Sequence, residues 1–374
     1  MELRQYKNTN DYISLLGLGC MRFPMLAGDT DVDYAKSQQI VDYAYQHGVN
    51  YFDTAYPYLG GFSETFIGRA LQKYPRESYY LADKMPGWCV KSMADVERIF
   101  AEQLQKCQTE YFDFYLCHSL GEENFKIYEE IDIIGFLDKQ KKAGKIRRLG
   151  FSFHDKPAFL EYLLTKYDWD FAQIQLNYMD WTLQDAKRQY ELLEEHGIPC
   201  IIMEPVRGGA LATLSKDAAA CFKQAEPGYS VASWAIRYAA SLPNVLTVLS
   251  GMSTLEQVED NVATMTNFVP LQEADYKTIE TALEIYRKNV TIPCTACRYC
   301  IDCPKGIDIP SIFKISNEFS LSKDRTAFKN QYHALPEGHR ANDCIACRKC
   351  VQHCPQSIDI PAELSKIKEL AAAK

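Results

Sequence analysis

The sequence has no excess of positive charge: its 374 residues include 41 lysines and arginines against 49 aspartates and glutamates, a net charge of −8. Proteins that bind nucleic acid or an anionic membrane surface need a basic patch, so this balance argues against both partners. No apolar run approaches the roughly 20 residues of a transmembrane helix. The segment Met1–Gln5 does not lead into the apolar stretch that is typical of a signal peptide. We therefore expect a cytoplasmic protein.

The cysteines lack the distribution that is typical of a small secreted disulfide protein. Of the fourteen cysteines, eight fall in two tight runs after position 290 and six are scattered. In a reducing compartment, such clustering indicates metal ligation.

The spacing within the two runs predicts two iron–sulfur clusters. The second run has the C-x2-C-x2-C-x3-C-P pattern of bacterial ferredoxins, and the first is one residue shorter before its last cysteine. In two-cluster proteins of this type, the fourth cysteine of each run ligates the other cluster. This predicts one [4Fe–4S] cluster on Cys294, Cys297, Cys300 and Cys354, and a second on Cys344, Cys347, Cys350 and Cys303.

An internal repeat supports that interpretation, because an Ile-Asp-Ile-Pro segment follows each run, at 307–310 and 358–361. The alternatives are zinc and disulfides. Structural zinc usually takes two separated pairs of ligands, which a triple C-x2-C-x2-C fits poorly. The roughly forty residues between the runs are typical of a helical ferredoxin-like domain fused to an oxidoreductase, rather than of a minimal ferredoxin.

The part of the chain before the cysteine runs alternates short apolar strands with helices of 3.6-residue period. Eight such units in about 265 residues predict a (β/α)8 TIM barrel over 1–275, followed by a small, mostly helical domain over 276–374. The predicted strands are Leu15–Cys20, Val49–Thr54, Tyr79–Lys84, Phe112–Cys117, Ile146–Phe151, Phe171–Leu176, Pro199–Met203 and Val245–Ser250. An open doubly wound sheet is the alternative, but the turn Gly17–Arg22 lacks the third glycine of G-x-G-x-x-G.

The ends of the predicted strands carry a candidate catalytic set. In a barrel of this type, functional groups lie at the carboxyl ends of strands, where this chain has Asp53, Lys84 and His118, with Tyr56 and Tyr58 in the loop after the second strand. A lysine ammonium beside a tyrosine is expected to lower the pKa of the phenol from its usual value near 10, which suits a proton donor at neutral pH. Either tyrosine could be that donor.

These residues stand in motifs that resemble the aldo-keto reductase family over most of residues 10–265. The motifs are Phe52-Asp53-Thr54-Ala55-x-x-Tyr58, Gly61-x-Ser63-Glu64, 81–84, 113–118, 148–152 and Gln173-Ile174-Gln175-x-Asn177. With the cysteine runs, the whole chain resembles the subgroup that carries a C-terminal [4Fe–4S] domain.

The resemblance implies a nicotinamide-dependent reductase. Tyr58 would be the proton donor, tuned by Lys84 and Asp53, and His118 would orient the carbonyl. Ser152 and Gln173 would contact the nicotinamide carboxamide. The remaining nicotinamide-cofactor contacts implied by the family are Pro205, Gly208 and Gly209 over the pyrophosphate, Gly251 after the eighth strand, and Asn261 near the adenine.

The chain departs from the family pattern in two places. Many members have a tyrosine after the seventh strand that stacks on the nicotinamide, whereas this chain has Met203-Glu204-Pro205. Members that prefer NADPH have basic residues after the eighth strand to hold the 2′-phosphate, whereas 251–257 contains none. We therefore expect NADH to be used at least as well as NADPH.

The two halves imply different electron chemistry, because a nicotinamide moves a hydride and a cluster moves single electrons. Three hypotheses follow. The clusters relay electrons between a redox partner protein and the barrel, or they are structural elements of a carbonyl reductase, or the protein is an electron-transfer or docking module whose barrel lacks hydride chemistry. No flavin signature is visible in the sequence. Nothing in the loops names a substrate beyond a small carbonyl compound or alcohol.

Overall fold

A computed structural model describes residues 1–28, 30–266, 268–288 and 292–373. Its strands are β1 Leu3–Gln5, β2 Tyr12–Ser14, β3 Leu16–Gly19, β4 Tyr51–Asp53, β5 Tyr80–Met85, β6 Phe112–Leu120, β7 Ile146–Phe153, β8 Phe171–Gln175, β9 Cys200–Met203 and β10 Val245–Ser250. Strands β3 to β10 are parallel and form a closed barrel, in which β10 pairs with both β3 and β9. The predicted (β/α)8 barrel is therefore confirmed, and each predicted strand overlaps one of these eight.

The helices are α1 Tyr34–Gln46, α2 Phe62–Leu71, α3 Met93–Lys106, α4 Glu122–Glu130, α5 Ile133–Lys142, α6 Pro157–Lys166, α7 Asp180–Leu183, α8 Ala186–Glu195, α9 Lys216–Ala225, α10 Val231–Ala240, α11 Leu255–Thr266, α12 Glu273–Arg287, α13 Ile309–Ser322, α14 Arg325–Ala334, α15 Lys349–Gln352 and α16 Ile360–Ala372. In the described part of the chain, no helix is long and apolar enough to cross a membrane.

A short antiparallel hairpin, β1 and β2, precedes the barrel and was not predicted from the sequence. Tyr6 and Ile13, at and beside the hairpin, are buried in one apolar cluster with barrel residues such as Tyr51, Phe114 and Phe171. The hairpin thus contributes to the barrel core.

The chain divides into two compact units. The barrel unit comprises 1–205 and 233–271, and the cysteine unit comprises 206–232 and 272–374. The cysteine unit therefore contains an excursion, Val206–Ala232, that begins three residues after the end of strand β9. Its helix α9 packs against α12. A second apolar core, which includes Ile312, Phe313 and Leu364, holds the cysteine unit together.

Candidate active site and cysteine sites

A buried ion pair forms the centre of the candidate active site. Asp53 ends β4 and Lys84 lies near the end of the neighbouring strand β5. Lys84 Nζ donates to Asp53 Oδ1 at 2.6 Å and to the carbonyl oxygen of Thr54 at 2.7 Å. Both side chains are almost completely buried. A buried ammonium needs such partners, because an unpaired charge in the interior is strongly destabilising.

Two aromatic side chains complete the predicted set around this pair. Lys84 Nζ lies 4.8 Å from the ring centroid of Tyr58. The Tyr58 and His118 rings are arranged edge to face, with centroids 6.0 Å apart. The ring of Trp88, which is 42% exposed, lies 4.8 Å from that of His118. The structure therefore brings the four predicted catalytic residues together, beside the indole of Trp88.

The pKa of Tyr58 differs from the sequence expectation. Burial raises this pKa well above 10, and the negative charge of Asp53 adds to the shift. The expected lowering of this pKa by Lys84 is therefore wrong for this structure, because burial and the Asp53 charge outweigh the nearby ammonium. Tyr58 consequently holds its proton at neutral pH, which is the form that a proton donor needs.

His118 is held in its neutral form. Burial lowers its pKa well below 6.5, and the nearby Lys84 charge lowers it further. Burial also lowers the pKa of the neighbouring His154 to about 4. A neutral imidazole can donate a hydrogen bond to a carbonyl without adding a second positive charge beside Lys84.

Tyr56, the other candidate proton donor, has different partners. Its hydroxyl donates to Glu102 Oε2 at 3.1 Å, and Lys106 Nζ lies 4.3 Å from its ring centroid. These are residues of helix α3. The structure thus separates the two tyrosines and places only Tyr58 beside Lys84 and His118.

A buried polar network around Lys84 was missed by the sequence analysis. Gln103 Nε2 donates to the Lys84 carbonyl oxygen at 2.9 Å and to Glu64 Oε1 at 3.0 Å. Asp83 Oδ1 accepts from the Lys84 backbone N–H at 2.8 Å. Burial and the charge of Glu64 raise the pKa of Asp83 well above its usual range. The polar residue in the apolar stripe of helix α3 was the only available signal for Gln103.

Gly68 allows this network to form. A Cβ atom at Gly68 would lie 2.3 Å from the Lys106 carbonyl oxygen and 2.6 Å from backbone atoms of Cys107. Helices α2 and α3 therefore approach closely at this point, which brings Glu64 on α2 within reach of Gln103 on α3.

The two predicted nicotinamide contacts lie on neighbouring strands, with Ser152 and Gln173 in register between β7 and β8. Ser152 Oγ accepts from the Ser119 backbone N–H at 2.7 Å. Gln173 is 2% exposed, and within the described residues its Oε1 has no hydrogen-bond donor. A buried amide oxygen without a donor is costly, so this pair fits a ligand that carries an N–H, such as a carboxamide.

The loops after β9 and β10 place the other predicted contacts. Glu204, which stands where many family members have the stacking tyrosine, has a φ of 56° and pairs with Arg22 at 3.6 Å. A Cβ at Gly251 would lie 3.1 Å from Arg22 side-chain atoms. Asn261 is buried in α11 and donates to Ser250 Oγ at 3.0 Å.

The glycine loop itself is divided between the two units. Pro205 ends a segment of the barrel unit, whereas Gly208 and Gly209 belong to the cysteine unit. Gly208 has a φ of 63°, and a Cβ there would lie 2.0 Å from the Thr295 carbonyl oxygen. This contact alone requires glycine at 208. The pyrophosphate role of the loop remains a prediction.

The structure brings the eight cysteines of the two runs together in the same two sets of four that the sequence predicts. Burial raises the pKa of Cys300 to about 12, with the nearby Cys297, Cys294 and Cys354 adding to the shift. Burial likewise raises the pKa of Cys350 to about 11, with Cys303, Cys344 and Cys347 adding to it. We call the set of Cys294, Cys297, Cys300 and Cys354 the first cysteine site, and the set of Cys303, Cys344, Cys347 and Cys350 the second.

The second cysteine site surrounds a small cavity that is partly open to solvent. All four of its cysteines line this cavity, with apolar side chains such as Ile307, Ile309 and Leu364, and with Lys305 and Arg348. Thiolates, an apolar shell and nearby cations are the environment of a [4Fe–4S] cluster, whose thiolate-ligated core is negatively charged. The residues therefore fit this group.

Comparison with known proteins identifies the two parts of the chain. A model of the Aldo/keto reductase family matches residues 15–284. The chain belongs to the aldo/keto reductase family. A 4Fe-4S dicluster domain matches residues 293–358. Both resemblances inferred from the sequence are thus confirmed. Membership of this family makes the protein an oxidoreductase.

The curated relatives match over most of their own length. L-galactose dehydrogenase of Arabidopsis thaliana is 28% identical over 320 residues, which cover 78% of this chain and 97% of that protein. The NADH-specific methylglyoxal reductase of Escherichia coli is 25% identical over 316 residues, with coverage of 71% and 94%. Among solved structures, aldo-keto reductase AKR11C1 from Bacillus halodurans is 25% identical, with a TM-score of 0.61 over 75% of this chain and 96% of that chain.

Proposed function

We propose that this protein interconverts a small carbonyl compound and an alcohol by hydride transfer with a nicotinamide cofactor, and that Tyr58 donates the proton. The observation that carries the proposal is the buried arrangement of Tyr58 beside both the Lys84–Asp53 ion pair and His118. Asp53, Lys84 and His118 lie on barrel strands and Tyr58 begins the short 3-10 turn that follows β4, so the fold fixes all four positions, as preorganised catalysis requires.

Each residue has a distinct role in this proposal. The nicotinamide supplies the hydride. His118, neutral because of its burial, donates a hydrogen bond to the carbonyl oxygen and orients it. Tyr58 gives its proton to that oxygen as negative charge develops on it. Lys84, fixed by Asp53, lies close enough to stabilise the phenolate that remains.

Ser152 and Gln173 would hold the nicotinamide carboxamide, and the Gln173 oxygen without a donor supports this assignment. Pro205, Gly208 and Gly209 would cover the pyrophosphate, and Gly251 and Asn261 would lie at the adenosine end.

We further propose that NADH serves at least as well as NADPH, since 251–257 contains no lysine or arginine. The name of the Escherichia coli relative specifies NADH, whereas an aldo-keto reductase structure from Klebsiella pneumoniae holds NADPH. A strong preference for NADPH in Michaelis constants would contradict this part.

In the cysteine unit we propose two [4Fe–4S] clusters with the ligand sets of the first and second cysteine sites. They act either as an electron relay for a redox partner protein or as structural elements. The proposal includes a division of function between residues 1–275 and 276–374, and a cytoplasmic location in which the thiols stay reduced. Supporting observations are the two groups of thiols and the cavity lined by Cys303, Cys344, Cys347 and Cys350.

The test of the hydride proposal is a comparison of Tyr58→Phe with Tyr56→Phe. With NADH and small aldehydes, beginning with methylglyoxal, Tyr58→Phe is expected to lower kcat about 10²–10⁴-fold, the usual contribution of general acid catalysis. Tyr56→Phe is the matched control, since it removes a nearby hydroxyl that bonds Glu102, and it should leave kcat within a few-fold. Equal activities of Tyr58→Phe and the wild type would refute the assigned mechanism.

The alternative is an electron-transfer or docking protein whose barrel lacks hydride chemistry. Glu204, at the place of the stacking tyrosine, is the observation that favours it. Under this alternative, the wild-type protein would not bind NADH or NADPH in an equilibrium titration, whereas the hydride proposal requires that it binds at least one.

A further inference from the structure

The two cysteine sites are built on the same local backbone. In the first, the Ala296 N–H donates to Cys294 Sγ at 3.4 Å, and in the second the Ala346 N–H donates to Cys344 Sγ at 3.4 Å. Ala296 and Ala346 have φ values of 53° and 52°, and Arg298 and Arg348 have values of 66° and 62°. Corresponding positions can therefore be compared one by one.

The environments of the two sites differ despite this shared backbone. Thr295, directly after the first cysteine of its run, is 2% exposed, whereas the corresponding Ile345 is 58% exposed. Cys347 is exposed, whereas its counterpart Cys297 is only partly so. An apolar side chain at the exposed position and a polar one at the buried position reverse the usual distribution.

The excursion Val206–Ala232 covers the start of the first run, where Thr295 is buried. Arg207 Nη2 donates to the Pro293 carbonyl oxygen at 3.2 Å and to Gln356 Oε1 at 2.9 Å, and Gly208 lies against Thr295. These contacts flank Cys294 and Cys354. Among the described residues, Ile345 and Cys347 leave the corresponding surface of the second site exposed.

The rim of the second site combines cations with apolar surface. Lys305 and Arg348 line its cavity, and the exposed Lys349 is next in sequence. Arg348 pairs with Asp359 at 3.3 Å, but both side chains are more than half exposed, so the pair is well solvated. Residues 291–374 carry 12 basic and 9 acidic side chains, whereas the rest of the chain carries 29 and 40.

We propose that the second cysteine site is the port at which this protein exchanges single electrons with a small acidic carrier protein, and that the first site has no direct access to that carrier. Electron transfer weakens steeply with distance, so a carrier reacts through the cluster whose edge it can approach. The basic rim attracts an acidic carrier, while the negative charge elsewhere on the chain disfavours binding of the carrier to other surfaces.

The proposed step is balanced as a one-electron exchange. The reduced carrier loses one electron, and the cluster held by Cys303, Cys344, Cys347 and Cys350 gains it, with no bond made or broken in the protein. The inference rests on the clusters of the proposed function but not on the hydride chemistry of the barrel.

The experiment uses anaerobic, iron-loaded, full-length protein and fully reduced flavodoxin, an acidic one-electron carrier, in a stopped-flow spectrometer. Semiquinone formation on the flavodoxin and bleaching of the cluster absorption report the same electron from both sides. The test variant is Lys305→Glu/Lys349→Glu. The control is Lys277→Glu/Lys314→Glu, which makes the same charge change at side chains that are 70% and 76% exposed and do not line the cavity.

We expect the second-order rate constant at low salt to fall about ten-fold or more in the test variant, as for loss of electrostatic steering, and to stay within about two-fold in the control. In the wild type the rate should fall as salt rises. Equal rates in wild type and test variant, equal losses in both double variants, or a wild-type rate that salt does not lower would each overturn the proposal.

Two measurements keep the result interpretable. The iron content and the visible spectrum of each variant establish that its clusters are loaded. The salt dependence of the wild-type rate tests the proposal without any variant. No nicotinamide or carbonyl compound is present, so failure of the hydride proposal would leave this result unchanged. Clusters that a chemical reductant bleaches but reduced flavodoxin does not would also contradict the port.

Discussion

The barrel site and the cysteine unit achieve order in different ways. In the barrel, protein groups alone fix the geometry: Lys84 is held by Asp53 and Thr54 through its side chain, and by Asp83 and Gln103 through its backbone. In the cysteine unit, the thiols of each site come from distant segments, and positive-φ residues shape the intervening loops. The barrel site is preorganised by protein groups, whereas the cysteine sites, as proposed, need an inorganic core to complete them.

This difference predicts separate weaknesses. Loss of one partner in the barrel leaves a buried charge, which damages stability and chemistry together. Loss of one thiol in the cysteine unit removes a ligand from one cluster and should leave the barrel chemistry in place. The following variants test that separation, in order of decreasing expected effect.

Lys84→Met should have the largest effect. It leaves Asp53 buried without its ammonium, which is expected to destabilise the fold by about 3–5 kcal/mol, and it should lower kcat for carbonyl reduction by about 10² or more. Urea unfolding and steady-state kinetics measure the two effects.

The double variant Asp53→Asn/Lys84→Met is the control for the charge. It removes both charges, so much of the stability should return while activity stays low. Recovery of activity in the double variant would contradict the role of Lys84.

Cys347→Ala and Cys297→Ala form a matched pair, because they occupy equivalent positions in the two runs. Each should lose or degrade one of two clusters, so that about half of the cluster signal remains in electron paramagnetic resonance. NADH-linked carbonyl reduction should persist in both. Rapid reduction by flavodoxin should be lost only in Cys347→Ala. Loss in Cys297→Ala alone would reverse the assignment of the port.

Arg207→Gln tests the cover of the first site. Arg207 is buried and bonds the segments that carry Cys294 and Cys354. Its positive charge should stabilise the more negative, reduced cluster. A potentiometric titration of the variant should therefore show a lower midpoint potential for one cluster and an unchanged value for the other. Equal shifts of both would contradict this local effect.

The smallest expected effect is that of mild acid on the barrel site. Because the folded pKa of His118 lies well below 6.5, its ring takes up a proton at mildly acidic pH only after unfolding. Its neutral state therefore contributes stability above about pH 6.5, and that contribution decreases as pH falls further. While the protein stays folded, kcat/KM should show no titration with an apparent pKa near 6.5. If kcat/KM did change with an apparent pKa near 6.5, and this change were absent from His118→Gln, the His118 ring would be protonated in the folded enzyme.

The architecture was predictable because the barrel strands are buried on both faces. Runs such as Phe112–Cys117 and Val245–Ser250 are mostly apolar and buried over their whole length, and helices separate them. The strands β1 and β2 have three residues each, too few for a periodic pattern to appear. They were therefore missed.

The candidate catalytic residues were also predictable, since strand ends in a barrel meet at one edge. What the sequence could not supply was the environment that decides their protonation. The pKa of Tyr58 depends on its burial and on where the Lys84 ammonium is directed. Gln103 and Arg207 act through tertiary contacts, and no spacing in the sequence indicates which segment will pack beside which.

The central claim is that the barrel transfers a hydride as an electron pair, separately from the single-electron chemistry of the cysteine unit. The most direct test is the fate of the label from NADH dideuterated at the nicotinamide C4, with anaerobic protein and an aldehyde that it reduces. The account predicts one deuterium on the carbinol carbon of each alcohol molecule formed. An alcohol whose new carbon-bound hydrogen comes from water would contradict it.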